Sequence, residues 1–163
     1  MKKFTFATLI IFLIVSNLIA QNISISLDFK KPAIKTSADG YSELIYDNCF
    51  QLGNEGDPLL PYYGADVLLP QGHEIIQVSV VTVTYSEEIY PFKLKPASRQ
   101  FPISKGAPEG YKPLPNNQIY GSNYQYPLSI VDNISTGYLA GHGIGSFSVC
   151  PVIYFPSENR VKF

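Results

Sequence analysis

The stretch that most constrains this chain runs from Gly56 to Gly72 and reads GDPLLPYYGADVLLPQG. Pro58 and Pro61 each fix φ and remove a backbone donor, so the backbone through Leu59 and Leu60 must be extended and no helix can pass through it. Val67 to Leu69 reads as a short strand. Pro70, Gln71 and Gly72 then form a turn, with proline suited to the first central position and glycine able to take positive φ. The chain around this stretch has to be built from strands and turns.

The flanks agree with that requirement. Ile23, Ile25, Leu27 and Phe29 alternate with Ser24, Ser26 and Asp28, the period-two pattern of a half-buried first strand. Lys30 to Gly40 is polar and ends in the turn dipeptide Asp39-Gly40, ahead of a second strand at Tyr41 to Tyr46; Asn48 to Asp57 reads as a loop. His73 to Tyr90 is the longest strand pattern. Ile76, Val78 and Val80 form one alternating set, Val81, Val83 and Tyr85 another, and the change of phase at Val80-Val81 points to a bulge or to an edge with both faces covered. Ile130-Val131 and Tyr138 to Ala140 lie on either side of a polar Asp132-Asn133 turn. Ile144 to Phe155 is a last strand region with Pro151 inside it, either an edge strand or a strand interrupted at Cys150, since proline belongs at edges and bulges. Arg160 to Phe163 begins a new alternating set at the end of the sequence, which suggests the N-terminal part of a longer precursor. No stretch after the first twenty residues keeps a 3.6-residue period with caps, so little or no helix is expected.

Between Pro91 and Pro127 the composition changes. Pro91, Pro96, Pro102, Pro108, Pro113, Pro115 and Pro127 prevent a continuous hydrogen-bond ladder. A long surface excursion is expected, fastened by Tyr111, Tyr120, Tyr124 and Tyr126. Excursions of this length inside a compact domain usually carry function or are disordered.

Residues 1–20 combine a basic pair, an apolar core and a small residue at Ala20, the pattern of a secretory signal peptide cleaved near Ala20. Their apolar run is interrupted and shorter than the roughly 20 residues a spanning helix needs, so no stable membrane anchor is expected and the product is secreted or held at the cell surface. Residues 21–163 suffice for one β-domain. With 12 basic against 13 acidic residues and no basic cluster beyond Lys30-Lys31, nothing attracts nucleic acid. Cys49 and Cys150, in an exported chain, fit either a disulfide closing a long loop or two buried free thiols.

The arrangement Gly56, Pro58, Leu60, Pro61, Leu69, Pro70 and Gly72, written G-x-P-x-L-P before an apolar strand ending L-P-x-G, resembles the N-terminal propeptide of gingipain-type secreted cysteine peptidases. A second match is Pro151, Val152, Tyr154 and Pro156, similar to that family's P-V-x-Y-x-P segment. The resemblance implies an all-β prodomain, read here as an antiparallel β-sandwich of jelly-roll type with long proline-rich loops. It implies a chain that is not itself an enzyme but keeps a cognate cysteine endopeptidase domain, lying downstream in the same precursor, latent by covering its cleft, and assists its folding. In such a family a loop is presented to the active site, and the basic residues of the excursion are the candidates: Lys105 first, because the flexible Gly106 follows it, then Arg99 and Lys112. A secreted β-sandwich binding a glycan or a surface protein, with Tyr62-Tyr63 and Tyr120 to Tyr126 as stacking platforms, is the alternative.

No reactive centre stands against that reading. Gly141-His142-Gly143 looks like the G-H-G that carries the family's catalytic histidine, with Cys150 close behind it, but a Cys-His pair must converge on one pocket with oxyanion donors, and seven intervening residues leading into a proline-interrupted strand place His142 in a turn. His73, His142, Cys49 and Cys150 lack the close spacing of zinc ligands. Glu87 and Glu88 are adjacent, so on a strand they face opposite sides. No catalytic residue, metal or cofactor is therefore assigned.

Overall fold

The computed structural model describes residues 21–89 and 91–163; residues 1–20, the stretch expected to be a signal peptide, lie outside the described residues. Among the described residues nine strands account for most of the regular structure: β1 (Ala33–Thr36), β2 (Ser42–Ile45), β3 (Cys49–Leu52), β4 (Leu60–Leu68), β5 (Glu88–Ile89), β6 (Val131–Leu139), β7 (His142–Val149), β8 (Ile153–Phe155) and β9 (Arg160–Lys162). One helical turn, α1 (Asn117–Tyr120), and a 3-10 turn at Pro156–Glu158 complete it. All strand pairs are antiparallel. They form a two-stranded sheet β1-β2, a four-stranded sheet in the order β3-β4-β7-β6, and a three-stranded sheet in the order β5-β9-β8. The expectation of an all-β antiparallel chain with almost no helix holds.

The proline-bounded stretch supplies the centre of the large sheet. β4 is longer than Val67 to Leu69 and contains Pro61, which pairs with Gln51 of β3 on one side. β7 joins the other side only from Tyr63 onward, so the imino nitrogen falls where the strand is still an edge. At its far end His73 N donates to Pro70 O at 3.0 Å and Gly72 takes φ +76°. Gly72 does supply positive φ, but Pro70 is the first residue of this turn, with Gln71 and Gly72 central.

Several local expectations are corrected. Ile23 to Phe29 forms no strand; Ile23 and Ile25 are exposed, and only the Phe29 ring is anchored, edge-on against Tyr46 and Tyr63. Asn48 to Asp57 is not all loop, because Asn48 turns the chain at φ 63° and β3 follows. β6 runs straight through Asp132-Asn133 with a register irregularity, and its hairpin to β7 turns at Ala140-Gly141, both with positive φ.

The largest correction concerns His73 to Tyr90. Residues 76–85 belong to no strand and Ile76 and Val81 stand about 90% exposed; Ser86 and Glu87 bond to the Phe163 backbone, and Glu88–Ile89 alone forms a strand, β5. The reason lies in the glycines of the β6-β7 hairpin. Leu69 and Ile75 side chains sit against Gly143 and Gly145, where a Cβ would meet them at 3.2 to 3.5 Å, and Ile75 N donates to Thr136 Oγ1 at 3.0 Å. The segment crosses the face of that hairpin instead of joining its edge. β propensity describes fit to a pleated surface and does not by itself supply a partner edge.

The core joins the three sheets. Leu44 of β2, Leu60 and Tyr62 of β4, Tyr154 of β8, Val161 of β9, and Phe92, Leu94, Cys150, Val152 and Phe163 cluster in it. Phe92 and Leu94 belong to the proline-rich stretch, so its first limb is core and not surface. Leu94 bridges Ser42 of β2, and Tyr126 exchanges backbone hydrogen bonds with Tyr154 at 2.7 and 2.8 Å. Pro151 falls in the break between β7 and β8, the interruption at Cys150 of the two readings, and β8 is also an edge of its sheet.

Burial raises the pKa of several hydroxyl and thiol groups here: Cys150 and Tyr126 to about 12, and Tyr46, Tyr62 and Tyr120 further still. A raised pKa in the fold means the unfolded chain ionises first, so stability is full below the ordinary thiol value of 9.0 and declines as pH rises through the shifted values. We expect the urea unfolding midpoint to be level from neutral pH to about 9 and to fall steadily above it; a midpoint unchanged at pH 11 would contradict this core.

Candidate functional site

The candidate site is the loop 98–115, and it is built from its neck outward. Its departing limb leaves the body at Ala97, which is buried, and its returning limb arrives at Asn116, whose side chain caps α1 by accepting from Gln118 N at 3.1 Å. Both limbs are tied to Gly56 and Asp57. Gly56 N donates to Ala97 O at 2.9 Å, Ala97 N to Asp57 O at 2.7 Å, and Asn116 N to Gly56 O at 2.8 Å. Gly56 takes φ +84°, and a Cβ there would lie 2.7 Å from Leu114 O, so only glycine permits this approach.

Above the neck, Phe101 packs edge-on against Tyr111 with ring centroids 4.9 Å apart. The Tyr111 hydroxyl donates to Glu55 Oε1 at 3.0 Å and accepts from Arg99 N at 3.2 Å. The tip is a tight turn in which Lys105 N and Gly106 N both donate to Pro102 O at 3.0 Å, with Gly106 at φ 63°. Ile103 is fully exposed beside Lys105.

The three basic candidates thus occupy different places. Lys105 stands at the tip, exposed and in no ion pair among the described residues. Arg99 lies at the base. Lys112 is on the returning limb near Asp39, whose carboxyl pKa is lowered chiefly by the Ser37 hydroxyl, Lys112 adding a smaller effect. The structure does not bring the three together.

Of the tyrosine fasteners, Tyr111 braces the loop, Tyr120 donates to Leu94 O at 2.9 Å, and Tyr126 bridges to β8, while Tyr124 is exposed. Tyr62 is buried in the core and Tyr63 half-buried against Phe29, so this pair offers no stacking platform. Sequence reasoning missed Asp57, whose buried carboxylate accepts from Asn116 Nδ2 at 2.9 Å and Asn54 Nδ2 at 3.2 Å. Its position inside the G-x-P motif was the available signal.

His142 opens β7 on the solvent side of the Ala140-Gly141 turn, and Cys150 is buried beyond the other end of that strand, roughly 26 Å away along an extended chain. They form no catalytic pair. Cys49 and Cys150 are free thiols; Cys49 pairs in register with Tyr63, which pairs in turn with Val149. Among the described residues no group of three or more His, Cys, Asp or Glu could hold a metal ion, and no helix is long and apolar enough to cross a membrane.

The structure is an antiparallel β-chain that carries a braced, exposed loop. The family model Propeptide_C25 matches residues 18–163, and the chain belongs to that family, the propeptides of gingipain-type cysteine peptidase precursors. Its fold is shared with a Porphyromonas gingivalis structure, the complex of RgpB pro- and mature domains, at TM-score 0.67 and 15% identity over 82% of this chain and 67% of that one. It is shared too with a structure of gingipain K from the same organism, described as giving insight into zymogenic latency, at TM-score 0.60 and 17% identity over 80% of this chain and 74% of that one. No curated protein matches the sequence.

The neck geometry separates two glycines. Gly72→Ala places its Cβ in open space and costs the left-handed backbone alone, about 1 kcal/mol. Gly56→Ala adds the contact with Leu114 O and costs about 3 kcal/mol. Urea denaturation of the two variants side by side measures the gap, and equal losses would contradict the described neck.

Proposed function

We propose that this chain is exported behind the signal peptide of residues 1–20 and holds the cysteine endopeptidase of its own precursor latent, assisting its folding, by packing against it and presenting the tip of loop 98–115 to the active-site cleft. Lys105 is the residue presented. A cleft selective for basic side chains is blocked by a lysine held in its specificity pocket, and Arg99 and Lys112 are the less favoured occupants. The observation that carries this reading is the position of Lys105: exposed at the tip of a loop braced by Pro102, Phe101 and Tyr111 and committed to no carboxylate among the described residues. A braced loop loses less conformational freedom on docking than a floppy one, which favours tight occupation of the cleft.

The test is inhibition in trans. Residues 21–163 should inhibit the peptidase domain of the precursor. Lys105→Ala should raise the inhibition constant by about thirtyfold, the scale of losing one central anchor, while Arg99→Ala and Lys112→Ala change it less than about threefold. Equal constants for all three variants would dismiss a basic residue in the pocket.

A further inference from the structure

We propose that the turn Asn54–Pro58 is a clip that aims the inhibitory loop, with Asp57 as its positioning residue. The inference rests on the reading of Lys105 as the residue presented to the peptidase, and extends it from the tip of the loop to its root.

Three observations support a clip. One carboxylate serves both the body and the returning limb: Asp57 Oδ1 accepts from Asn116 Nδ2 and Oδ2 from Asn54 Nδ2. The departing limb is held by the same residue through Ala97 N to Asp57 O, and the returning limb by Asn116 N to Gly56 O. Asp57 is itself buried, the residue being 8% exposed, and two amide partners satisfy its carboxylate there. The turn therefore closes the loop at residues 97 and 116 and continues into a strut, Glu55 to Tyr111, that reaches the middle of the loop.

The chemistry requires an aspartate. Two side-chain amides donate to two separate oxygens, and an asparagine offers one acceptor and an NH2 group that would confront another NH2. With the clip intact, the path from the core to Lys105 passes through hydrogen bonds at the neck, the Phe101–Tyr111 contact and the tip turn at Pro102. With one limb released, the same lysine sits on a chain that can bend to the geometry a peptidase needs for cutting. A basic residue held stiffly obstructs a cleft; the same residue on a yielding chain is a substrate.

The experiment uses residues 21–163 with the peptidase domain of the precursor, and four variants: Asp57→Asn, Asn116→Ala, Lys105→Ala and the double variant of Asp57→Asn with Lys105→Ala. Asp57→Asn should raise the inhibition constant about tenfold, the scale of one charge-assisted hydrogen bond, and mass spectrometry should find new cuts within 98–115, with cooperative unfolding retained. Because the clip acts through the tip, the double variant should inhibit no worse than Lys105→Ala alone; a merely structural loss would make the two effects multiply. Asn116→Ala should reproduce the pattern from the returning limb, and it decides the matter if Asp57→Asn fails to fold. If Lys105→Ala weakens inhibition while both clip variants inhibit like the parent, the clip is overturned and the reading of Lys105 stands. Multiplying effects in the double variant also overturn the clip. If Lys105→Ala has no effect, the reading of Lys105 falls and the clip falls with it.

Discussion

The ladder between β4 and β7 is the constraint on which the rest of the structure depends. From Tyr63 paired with Val149 to Leu68 paired with Ile144, it joins the middle of the chain to a segment some eighty residues later. Every other arrangement is referred to it. β3 lies along one side because the chain reverses through residues 53–59, where Gly56 takes positive φ, and β6 along the other because Ala140-Gly141 makes a tight reversal. Beyond the ladder, the chain at Cys150-Pro151 leaves the large sheet and carries Val152 and Tyr154 into the core, where β8 and β9 meet the limb of Phe92 and Leu94. The ladder closes a long loop before its contacts are gained, an entropic cost that the buried apolar side chains must offset.

Legibility in the sequence follows whether the determinant is local. Pro58 and Pro61 forbid helix on their own, and Gly72 meets its positive φ within four residues, so the extended segment and its turn could be read directly. Pro151 marks the strand break for the same reason. Pairing is not local. Val80 to Val83 and Ile23 to Leu27 have the composition and the period of strands, yet neither joins an edge, although the outer sides of β3 and β6 stay unpaired among the described residues; the chain ahead of Val80 is drawn across the Gly143 and Gly145 face by Leu69 and Ile75. β1, in contrast, was hidden in a polar stretch because its four residues are all exposed and only the hairpin with β2 makes it a strand.

The candidate site divides in the same way. That the functional part would be the proline-rich excursion was visible from composition, and Lys105 was visible as a basic residue before glycine. Its neck was not, because Asn54, Asp57, Ala97 and Asn116 meet only after three separate segments fold together. Likewise the first half of the excursion looked like surface from its prolines, whereas Phe92 and Leu94 show that prolines exclude a ladder without excluding burial.

The unpaired stretch through Ile76, Val81 and Val83 has a consequence for how the chain behaves as matter in solution. Residues 76–85 expose amides, carbonyls and branched aliphatic side chains along one extended line, with no proline and one net-neutral tract from Ile76 to Tyr85. Water solvates such a line adequately when molecules are dilute. Where they are crowded, the same line offers unsatisfied backbone groups and apolar side chains to a neighbouring chain, the two features from which strand-to-strand adhesion is built.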